Sequence, residues 1–373
     1  KAKCLMDKVF IGLMTGTSAD SLDLAAVDFS NEKLNVIGTR NFEIPNEIKK
    51  QIKENVNTIN IDYESVGMLD AELGEFFARS IEEFVNSKNI SKNEIVAVGS
   101  HGQTIKHDPS AEPPLSLQIG DPQLISNETN LRTIGNFRQD DIEAGGQGAP
   151  LSPLFHEKVF KDNYEERTIV NIGGITNISL LTRSKLSGFD TGPGNCLLDS
   201  WSQKNKKGNY DAEGKWGKSG KINQDLIKIM LSDKYFALNH PKSTGPDYFN
   251  LRWIEDSLNK LGYELAPEDV QATLTELTVL SLFESLKKLG ALENKMFLCG
   301  GGTHNDFLMS RMSSIFNQDI QTTSNLGVDP DFLEAICFAW LAYKRINNVR
   351  FDLKDITGSK EAVFLGRIYD PIK

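Results

Sequence analysis

The sequence predicts an α/β protein of two related domains with a ligand-binding cleft between them. A chain of 373 residues suits about two domains, each large enough to bury a core. Both halves begin with short apolar runs typical of strands and continue into helical patterns. Glycine-rich turns follow four of the apolar runs, and turns at strand ends commonly bind ligands.

In the first half, the predicted elements are a strand meander, a long helix and two further strands that lead to a glycine-rich loop. The meander is Val9–Met14, Leu22–Phe29 and Leu34–Ile44, the helix is Asp62–Asn86, the strands are Ile95–Val98 and Leu131–Phe137, and the loop is Gly145–Pro150. Apolar residues at the spacing of one buried stripe predict the helix, among them Val66, Leu69 and Leu73. Asp121 and Pro122 indicate another helix start, because Asp caps free N–H groups and Pro suits the first turn.

In the second half, strands are again followed by helices. The strands are Arg167–Ile172, Ile178–Leu181 and Lys295–Leu298, and the helices are Ile222–Leu231, Asp247–Leu261, Glu268–Leu289 and Asp331–Ile346. The glycine- and lysine-rich stretch Lys204–Lys221 is predicted to be an exposed loop, and the tail Phe351–Asp370 is expected to return to the first domain. We therefore predict a first domain of residues 1–135 plus 347–373 and a second domain of residues 136–346.

Composition limits the partners that we expect. The formal net charge of −10 argues against a general binder of nucleic acid or of anionic membranes. Phosphate ligands are still compatible, because loop N–H groups, helix N-termini and a divalent metal can hold phosphate locally. No apolar stretch reaches membrane-spanning length and the first residues lack the apolar core of a signal peptide, so a cytoplasmic protein is expected. The four cysteines contain no CxxC pair, which favours reduced thiols over a disulfide or metal site.

The first glycine-rich turn, Gly12–Ser18, is a candidate phosphate-binding segment. Its hydroxyls and backbone N–H groups can hold phosphate oxygens, while Asp20 and Asp23 directly after it can orient Mg²⁺ through water. No Lys follows the glycines as a Walker A loop requires. Taken alone, the pattern is equally typical of an ordinary β-hairpin turn.

Two polar segments after strands are candidates for binding a polyhydroxylated or acidic ligand. His101–Thr104 follows one strand, and Arg138 with Asp140 and Asp141 precedes the glycine loop after the next. A guanidinium group and two carboxylates suit such a ligand. The alternatives are a capped turn with a surface histidine and a solvated loop whose exposed ion pairs contribute little.

Two more glycine turns lie in the second half. Asn171–Asn177 is placed like a symmetrical partner of the first hairpin, with a glycine pair in its turn. Gly300–Gly302 opens into a predicted helix at Asn305–Met312 and could lie flat against a purine or ribose. Standing alone, the triple glycine would be better explained as a helix-packing turn.

Asp190 is the candidate for chemistry. It lies within Gly188–Asn195, a run with three glycines and one proline that we expect to form a loop too contorted for a helix or strand interior. A carboxylate held in such a loop can serve as a general base beside bound phosphate.

Together these segments closely resemble the anhydro-N-acetylmuramic acid kinases, a family within the actin-like ATPase, sugar kinase and Hsp70 superfamily. The resemblance extends from about Gly12 to Gly366. It implies two actin-like/ribonuclease H-like domains with an interdomain active-site cleft, and a homodimer. Its most specific matches are Gly99–Thr104, Gly145–Pro150, Gly188–Asn195, Pro241–Gly245, Cys299–Gly302, Glu334–Ala335 and Phe338–Ala342.

The resemblance also implies the reaction, its ligands and its site residues. Members use ATP and Mg²⁺ to phosphorylate O6 of 1,6-anhydro-N-acetylmuramic acid while water opens the anhydro bridge, giving N-acetylmuramic acid 6-phosphate and ADP in peptidoglycan recycling. The implied general base is Asp190, and Asp20 is the implied Mg²⁺ residue, through water. The implied nucleotide residues are Gly16, Thr17, Ser18, Ala19, Asp20, Ser21, Leu22, Asp23, Asn171, Gly173, Gly174, Asn177, Gly300, Gly301 and Gly302. The implied sugar residues are His101, Gln103, Thr104, Arg138, Gly146, Gln147, Gly148 and Glu334.

Four residues depart from the family pattern. Ala19 and Ser21 replace the usual Leu and Gly, and the Cβ of Ser21 is expected to alter the turn if that position needs a positive φ. Asn136 replaces Asp and Glu143 replaces Ala, which removes one negative charge near the expected sugar site and adds another.

Two other functions compete with this interpretation. Another sugar or acyl-group kinase of the superfamily would use the same ATP segments on a free hydroxyl, but the loops 145–150 and 188–195 together argue against it. A nucleotide-gated regulator without a sugar substrate would not need Asp190, so replacing that residue separates an enzyme from a scaffold.

Overall fold

The structure is a computed structural model and describes residues 9–16, 19–30, 34–56, 62–108, 111–112, 114–183 and 185–372. The chain divides into two compact units. The first unit consists of Lys1–Phe155 and Phe332–Lys373, and the second unit is His156–Asp331. Each unit has its own sheet and its own hydrophobic core.

Strands and helices alternate along both units. Within the described ranges the strands are, in chain order, β1 Val9–Thr15, β2 Ser21–Asp28, β3 Asn35–Glu43, β4 Ile95–Ser100, β5 Gln103–Asp108, β6 Leu115–Ile119, β7 Thr133–Gly135, β8 Arg167–Ile172, β9 Ile175–Leu181, β10 Leu186–Pro193, β11 Lys295–Cys299, β12 Gln321–Thr322 and β13 Arg367–Tyr369. The α-helices in the same ranges are α1 Asn46–Val56, α2 Tyr63–Ser87, α3 Pro122–Thr129, α4 Gln139–Glu143, α5 Ser152–Phe160, α6 Asn195–Lys204, α7 Lys215–Ser219, α8 Gln224–Leu231, α9 Lys234–Ala237, α10 Leu251–Leu261, α11 Pro267–Lys288, α12 Asp306–Phe316 and α13 Leu333–Ile346.

The sheet of the first unit is an antiparallel meander extended by parallel strands. Its strand order is β13-β7-β4-β1-β2-β3. The strands β1, β2 and β3 are antiparallel neighbours, whereas β4 is parallel to β1 and β7 is parallel to β4. The antiparallel pairing of β13 with β7 confirms that the tail returns to this unit. A separate hairpin of β5 and β6, which the sequence patterns did not predict, follows β4.

The sheet of the second unit repeats the same plan. Its order is β10-β9-β8-β11-β12, with β8, β9 and β10 antiparallel. The strand β11 is parallel to β8, and β12 is parallel to β11. In both units, therefore, the first strand of the meander lies between its hairpin partner and a parallel strand. This repetition confirms the predicted fold class of two related α/β domains.

Each core lies against its own sheet. In the first unit, Ile11 and Leu13 of β1 belong to one buried cluster with Leu69 and Phe77 of α2, which confirms the predicted helical stripe. In the second unit, strands β8 to β11 and helix α11 contribute to another buried cluster. No helix among the described residues is long and apolar enough to span a membrane.

Helix α13 packs on β1 and β4 at two glycines. A Cβ atom at Gly12 would lie 1.8 Å from the carbonyl oxygen of Ala335 and 2.5 Å from the amide nitrogen of Ala339. A Cβ atom at Gly99 would lie 2.2 Å from the carbonyl oxygen of Phe338. The helix backbone can approach the sheet this closely only because both strand positions lack a side chain.

The observed division differs from the predicted domain boundaries. Residues 136–155 and helix α13 were predicted in the second domain, but both belong to the first unit. One reason is the packing of α13 on β1 and β4. Another is that the segment after β7 is bonded to the tail, since Gln147 N–H donates to Thr357 O at 3.0 Å and Lys360 N–H donates to Ala144 O at 2.9 Å. Contacts between residues so distant in the chain leave no local sequence signal.

Two local predictions need correction. The strand predicted at Leu131–Phe137 spans only Thr133–Gly135, because Asn136 adopts a positive φ of 54°. The stretch Lys204–Lys221 is not simply an exposed loop, since it contains α7 and its glycine Gly217 is buried. By contrast, the predicted cap at Asp121 is confirmed by a 2.8 Å hydrogen bond from the Gln123 N–H.

Substitution by alanine is expected to change the free energy of unfolding in opposite directions at Gly12 and Gly67, because only Gly12 lies against the α13 backbone. We expect Gly12→Ala to lower the free energy of unfolding by about 1–3 kcal/mol or more, because its Cβ would overlap the α13 backbone. Gly67→Ala, at an open position on the exposed face of α2, is expected to raise it by about 0.5–1 kcal/mol. Urea unfolding measures both changes. Equal effects of the two substitutions would contradict this view of the α13 contact.

Candidate active site

The turn after β1 leaves room above its backbone. Apart from its neighbours in the chain, no atom of the described residues would lie within 4 Å of a Cβ atom at Gly16. The carbonyl oxygen of Gly16 accepts a hydrogen bond from the Ala19 N–H at 3.0 Å, and Ala19 takes a positive φ of 54° while fully buried. Leu22 is also fully buried. The predicted phosphate residues Thr17 and Ser18 lie outside the described residues.

The two acidic residues after this turn have different surroundings. Asp20 is 42% exposed at its side chain, and its Oδ1 lies 3.2 Å from Nζ of Lys49 on α1. Asp23 accepts a hydrogen bond from the Ser21 hydroxyl at 3.2 Å. The positive φ of this turn belongs to Ala19, whereas Ser21 is an ordinary residue of β2. The Cβ of Ser21 therefore does not distort the turn.

In the second unit, some glycines are open and others are packed. The nearest atom to a Cβ at Gly173 would be 3.6 Å away, and at Gly301 it would be 3.9 Å away. A Cβ at Gly300 would instead lie 2.9 Å from the carbonyl oxygen of Ile172, and one at Gly302 would lie 2.3 Å from Cγ2 of Ile172. Gly173 and Gly301 thus leave space for a ligand, while their neighbours allow the packing against β8.

The β8–β9 turn is bonded to the start of α6. The carbonyl oxygen of Gly174 accepts hydrogen bonds from the N–H groups of Gly194, at 2.9 Å, and Cys196, at 3.1 Å. The carbonyl oxygen of Gly173 accepts one from the Asn195 N–H at 2.8 Å. These bonds hold the glycine turn next to the end of β10, the strand that carries Asp190.

Three polar residues form a row across the second sheet. Asp190 of β10 pairs with Asn177 of β9, and Asn177 pairs with Asn171 of β8. Opposed residues of antiparallel strands share one face, with Cβ atoms about 4.5–5.5 Å apart. The Oδ1 atoms of Asn171 and Asn177 are buried and have no hydrogen-bond partner among the described residues. Two acceptors beside a carboxylate are suited to a hydroxyl, a water molecule or a hydrated cation.

Asp190 lies in a strand, so the loop predicted for it is wrong. It is part of β10, which continues to Pro193 with a bulge between Asp190 and Gly192. The glycine at 192 is needed for packing, because a Cβ there would lie 2.8 Å from the ring of Phe236. The glycines of this run thus shape a bulge within a ladder rather than a free loop.

The buried Asp190 is held by backbone and side-chain donors. It is 6% exposed. Its Oδ2 accepts a hydrogen bond from the Thr244 N–H at 2.9 Å, and its carbonyl oxygen accepts one from the Tyr235 hydroxyl at 2.6 Å. Burial raises the pKa of Tyr235 far above its usual value, so this hydroxyl keeps its proton. The carboxylate is consequently fixed in one orientation.

In the first unit, His101 and Arg138 are in direct contact. The Nε and Nη2 atoms of Arg138 lie 3.1 Å and 2.9 Å from Nε2 of His101, and Nδ1 of His101 lies 3.0 Å from the carbonyl oxygen of Gly102. The carbonyl can only accept, so Nδ1 carries the proton and Nε2 accepts from the guanidinium group. Burial, together with the Arg138 charge, lowers the pKa of His101 well below its usual value.

The β5–β6 hairpin extends this network, and sequence analysis missed its contribution. Oγ of Ser116 on β6 lies 3.1 Å from Nδ1 of His107 and 3.4 Å from Nη1 of Arg138. Burial, followed by the Arg138 charge, lowers the pKa of His107 to about 3. Gln118 donates to both Ser116, at 2.9 Å, and Thr104, at 3.3 Å. The residues that β5 buries are Gln103, Ile105 and His107, and because only Ile105 is apolar, the sequence shows no apolar alternation that could have predicted this strand.

Gln103 offers a buried acceptor within the same hairpin. Its side chain is fully buried and donates to the carbonyl oxygen of Thr104 at 3.2 Å. Its Oε1 has no hydrogen-bond partner in the described part of the chain. Because leaving a buried acceptor unsatisfied is costly, this oxygen is a candidate contact for a ligand hydroxyl or amide.

The glycine loop 145–150 folds around the buried carboxylate of Asp141. The N–H of Gly148 donates to Asp141 Oδ2 at 2.7 Å, and the Thr357 hydroxyl donates to Oδ1 at 2.6 Å. A Cβ at Gly146 would lie 2.3 Å from the same carboxylate. Burial raises the pKa of Asp141, while the two hydrogen bonds oppose that rise. Asp141 is therefore not part of a solvated loop, and it fixes the shape of the segment that carries Gln147.

Asn136 and Glu143, two of the residues that depart from the family pattern, both contact strand β13. Asn136 Nδ2 donates to the Tyr369 hydroxyl at 2.6 Å, and Glu143 Oε1 accepts from Arg367 at 2.8 Å. Each change of residue type therefore has a local partner on β13.

The division of the chain separates the predicted residues into two sets. All eight predicted sugar residues belong to the first unit, as does the Gly16–Asp23 segment. Glu334 is half-buried in the first turn of α13. Asp190 and the glycine segments 171–177 and 300–302 belong to the second unit.

The contacts of Asp141 predict a stability effect. We expect Asp141→Ala to lower the free energy of unfolding by about 2–4 kcal/mol, because the Gly148 N–H and the Thr357 hydroxyl lose their acceptor. Asp141→Asn retains an oxygen acceptor and is expected to cost less. Asp140→Ala, on the same short helix, is the matched control, since Asp140 lies 3.9 Å from Arg367 in a partly exposed pair. Equal losses for the two alanine variants in urea unfolding would refute the role given to Asp141.

Comparison with known proteins identifies the family of the chain. The family model for anhydro-N-acetylmuramic acid kinase matches residues 8–371. A relative of that name from Pasteurella multocida (strain Pm70) is 42% identical over 363 residues, 96% of each chain. Relatives of the same name from Saccharophagus degradans and Shewanella sp. (strain ANA-3) are 42% and 43% identical, covering 97% and 96% of this chain and 99% and 98% of their own. With the family model and these relatives in agreement over nearly the whole chain, the chain belongs to the anhydro-N-acetylmuramic acid kinase family.

Proposed function

We propose that this chain is an ATP-dependent kinase that opens 1,6-anhydro-N-acetylmuramic acid and phosphorylates its O6. The products are N-acetylmuramic acid 6-phosphate and ADP, as part of peptidoglycan recycling. The observation that carries the proposal is the buried carboxylate of Asp190, fixed by the Thr244 N–H in a chain of this kinase family. A buried and oriented carboxylate is what proton abstraction from a water molecule requires.

The chemistry explains why a base is needed. The anhydro sugar has no free 6-hydroxyl group, so deprotonating a hydroxyl cannot start the reaction. Water adds at C1 as the C1–O6 bond breaks, and O6 receives the γ-phosphoryl group. Asp190 accepts the proton that the water loses, and a positioned base of this kind contributes about 10²–10⁴-fold to the rate.

The nucleotide would be held mainly by backbone. Gly16, Gly173 and Gly301 have open space above their Cα atoms, so phosphate or ribose can approach closely there. The buried acceptors of Asn171 and Asn177 lie in the same row as Asp190. ATP is the phosphoryl donor that this arrangement and the kinase family favour.

Mg²⁺ fits Asp20 only through water. Asp20 is already 3.2 Å from the Lys49 ammonium, and no cluster of three His, Cys, Asp or Glu side chains suited to a metal occurs among the described residues. An exposed carboxylate with one cationic partner can still orient metal-bound water. When bound, the ion would neutralise charge on the transferred phosphoryl group.

The first unit would recognise the sugar. His101 is neutral and holds Arg138, whose permanent positive charge suits the carboxylate of the anhydro sugar. Gln103 offers its buried Oε1 to a hydroxyl or amide, and Thr104, Glu334 and the loop 146–148 complete the proposed set. A cytoplasmic homodimer is a further part of the proposal, and sedimentation of the intact protein tests the dimer.

Asp190→Asn tests the proposed base. We expect release of ADP from Mg-ATP and 1,6-anhydro-N-acetylmuramic acid to fall at least about 10²-fold, because the amide cannot accept the proton from water. The Thr244 N–H still finds an oxygen acceptor in the variant, so the fold should be retained. Coupled measurement of ADP release, with and without the sugar, gives the result.

The same assay separates the competing functions. Release of ADP with another sugar and none with the anhydro sugar would support a different sugar kinase. Binding of ATP without release for any sugar would support a nucleotide-gated regulator. A variant as active as the wild type would remove Asp190 from the mechanism.

Gly301→Ala tests the nucleotide segment. A Cβ at this position meets no protein atom closer than 3.9 Å, so folding should be unaffected. We expect the KM for ATP to rise about tenfold, equivalent to about 1.4 kcal/mol, because the methyl group occupies the space left for the ligand. The KM for the sugar should stay unchanged. Gly67→Ala is the control, and an unaltered KM for ATP in Gly301→Ala would place the nucleotide elsewhere.

A further inference from the structure

The segment Pro241–Gly245 is a specific family match, of which only the Thr244 N–H has been given a role in the function proposed above. It contacts Asp190 at two points. The Asp190 N–H donates to the carbonyl oxygen of Lys242 at 3.1 Å, and the Thr244 N–H donates to the Asp190 carboxylate at 2.9 Å. The segment therefore bonds to both the backbone and the side chain of the candidate base.

Lys242 closes a ring of hydrogen bonds with Asp190 and Tyr235. Its Nζ donates to the carbonyl oxygen of Tyr235 at 3.2 Å, and the Tyr235 hydroxyl donates to the carbonyl oxygen of Asp190 at 2.6 Å. The third bond is the one from Asp190 N–H to Lys242. Three residues from β10, α9 and the following segment are thus linked, and Lys242 supplies the only charged donor of the three bonds.

The Lys242 side chain is buried among aromatic rings. The residue is 6% exposed, and its Nζ lies 4.4 Å from the centre of the Tyr235 ring and 5.9 Å from that of Phe189. Cation–π contact offsets part of the cost of burying an ammonium group. A methionine side chain could fill a similar volume without the cost of burying a charge, which indicates that the ammonium group of Lys242 has a function.

The charged and titratable groups around Lys242 act in opposite directions. Burial lowers the pKa of Lys242 to about 8, with a further lowering by Lys288 of α11, while Asp190 of β10 raises it. Tyr235 of α9 keeps its proton, since burial raises its pKa far above its usual value. Tyr248, which also influences Tyr235, donates to Asp233 at 2.7 Å, and burial raises its pKa as well. Asp190 is thus the carboxylate that attracts the Lys242 ammonium.

We propose that Lys242 is a positioning residue for Asp190: its buried ammonium favours the ionised carboxylate and holds the 235–244 segment against it. The proposal rests on Asp190 being the base of the proposed reaction. Attraction between two groups is reciprocal, so a cation stabilised by Asp190 also stabilises the Asp190 carboxylate.

The proposal has a defined pH dependence. Below pH 8 the ammonium is present and supports the carboxylate. As the pH rises through about 8, the ammonium loses its proton and kcat falls, because a neutral amine holds the Tyr235 carbonyl, and through it the segment bonded to Asp190, less strongly. An arginine at this position would stay charged throughout that range, since its pKa is above about 12.

Steady-state kinetics of the full-length protein test these expectations. The variants are Lys242→Met, Lys242→Arg and the control Lys228→Met, the same change at a side chain that is 75% exposed on α8. We expect Lys242→Met to lower kcat about tenfold or more with little change in either KM, because misplacing a reacting group acts on the transition state. If Lys242→Arg restores activity, the pH profile of its kcat should lack the decline near pH 8. The control Lys228→Met should have the same kcat and KM values as the wild type.

A titration that needs no turnover completes the test. In ¹³C NMR spectra of the side-chain carboxylates, with Asp190 assigned by its loss in Asp190→Asn, the pKa of Asp190 should be higher in Lys242→Met than in the wild type. An unchanged pKa of Asp190 together with an unchanged kcat profile would overturn the proposal. If no variant and no wild type turns over the anhydro sugar, the proposed function fails, whereas the NMR result still decides whether Lys242 acts on Asp190.

Discussion

The approach of α13 to β1 and β4 is the contact on which the first unit depends. Gly12 and Gly99 let the helix backbone lie against the sheet, and this depth fixes where its side chains point. Phe338 of α13 then contacts the ring of His101, with 4.6 Å between ring centres, and His101 in turn holds Arg138. The lack of side chains at Gly12 and Gly99 thereby sets the position of α13, and its contact with His101 in turn sets the position of the Arg138 guanidinium group.

The two sheets have the same strand plan but place their polar hairpin residues in different surroundings. At the hairpin of the first unit, Asp20 is partly exposed and paired with Lys49, which suits interaction with a charged ligand through water. At the corresponding hairpin of the second unit, the polar row of Asp190, Asn177 and Asn171 is largely buried. Because these side chains are shielded from water, the protein itself must orient them. The Thr244 N–H holds the Asp190 carboxylate, and the Tyr235 hydroxyl holds the Asp190 backbone carbonyl. The two units therefore share one strand plan, while the residues at their hairpin ends differ in burial and in bonding partners.

Much of the fold could be predicted from local patterns. The meander, the stripe of α2 and the cap at Asp121 follow from periodicity and capping, which act within a few residues. The predicted boundaries differ from the compact units where distant segments meet, as with α13 on β1 and Thr357 with the 145–150 loop. The glycine-rich run around Asp190 predicted that this residue is a site candidate. It did not predict strand β10, because that strand is defined by its pairing with β9 and the glycines alone give no signal of the pairing. Lys242 had no local signal beyond its motif, because its burial depends on rings from two other elements.

The neutral histidines of the first unit have a consequence for selectivity. Burial and the neighbouring guanidinium group hold the pKa of His101 well below its usual value and that of His107 at about 3. Near neutrality neither histidine therefore adds a positive charge to that of Arg138, which is permanent. If Arg138 binds the acidic sugar as proposed, discrimination between acidic and uncharged sugars is insensitive to moderate acidification.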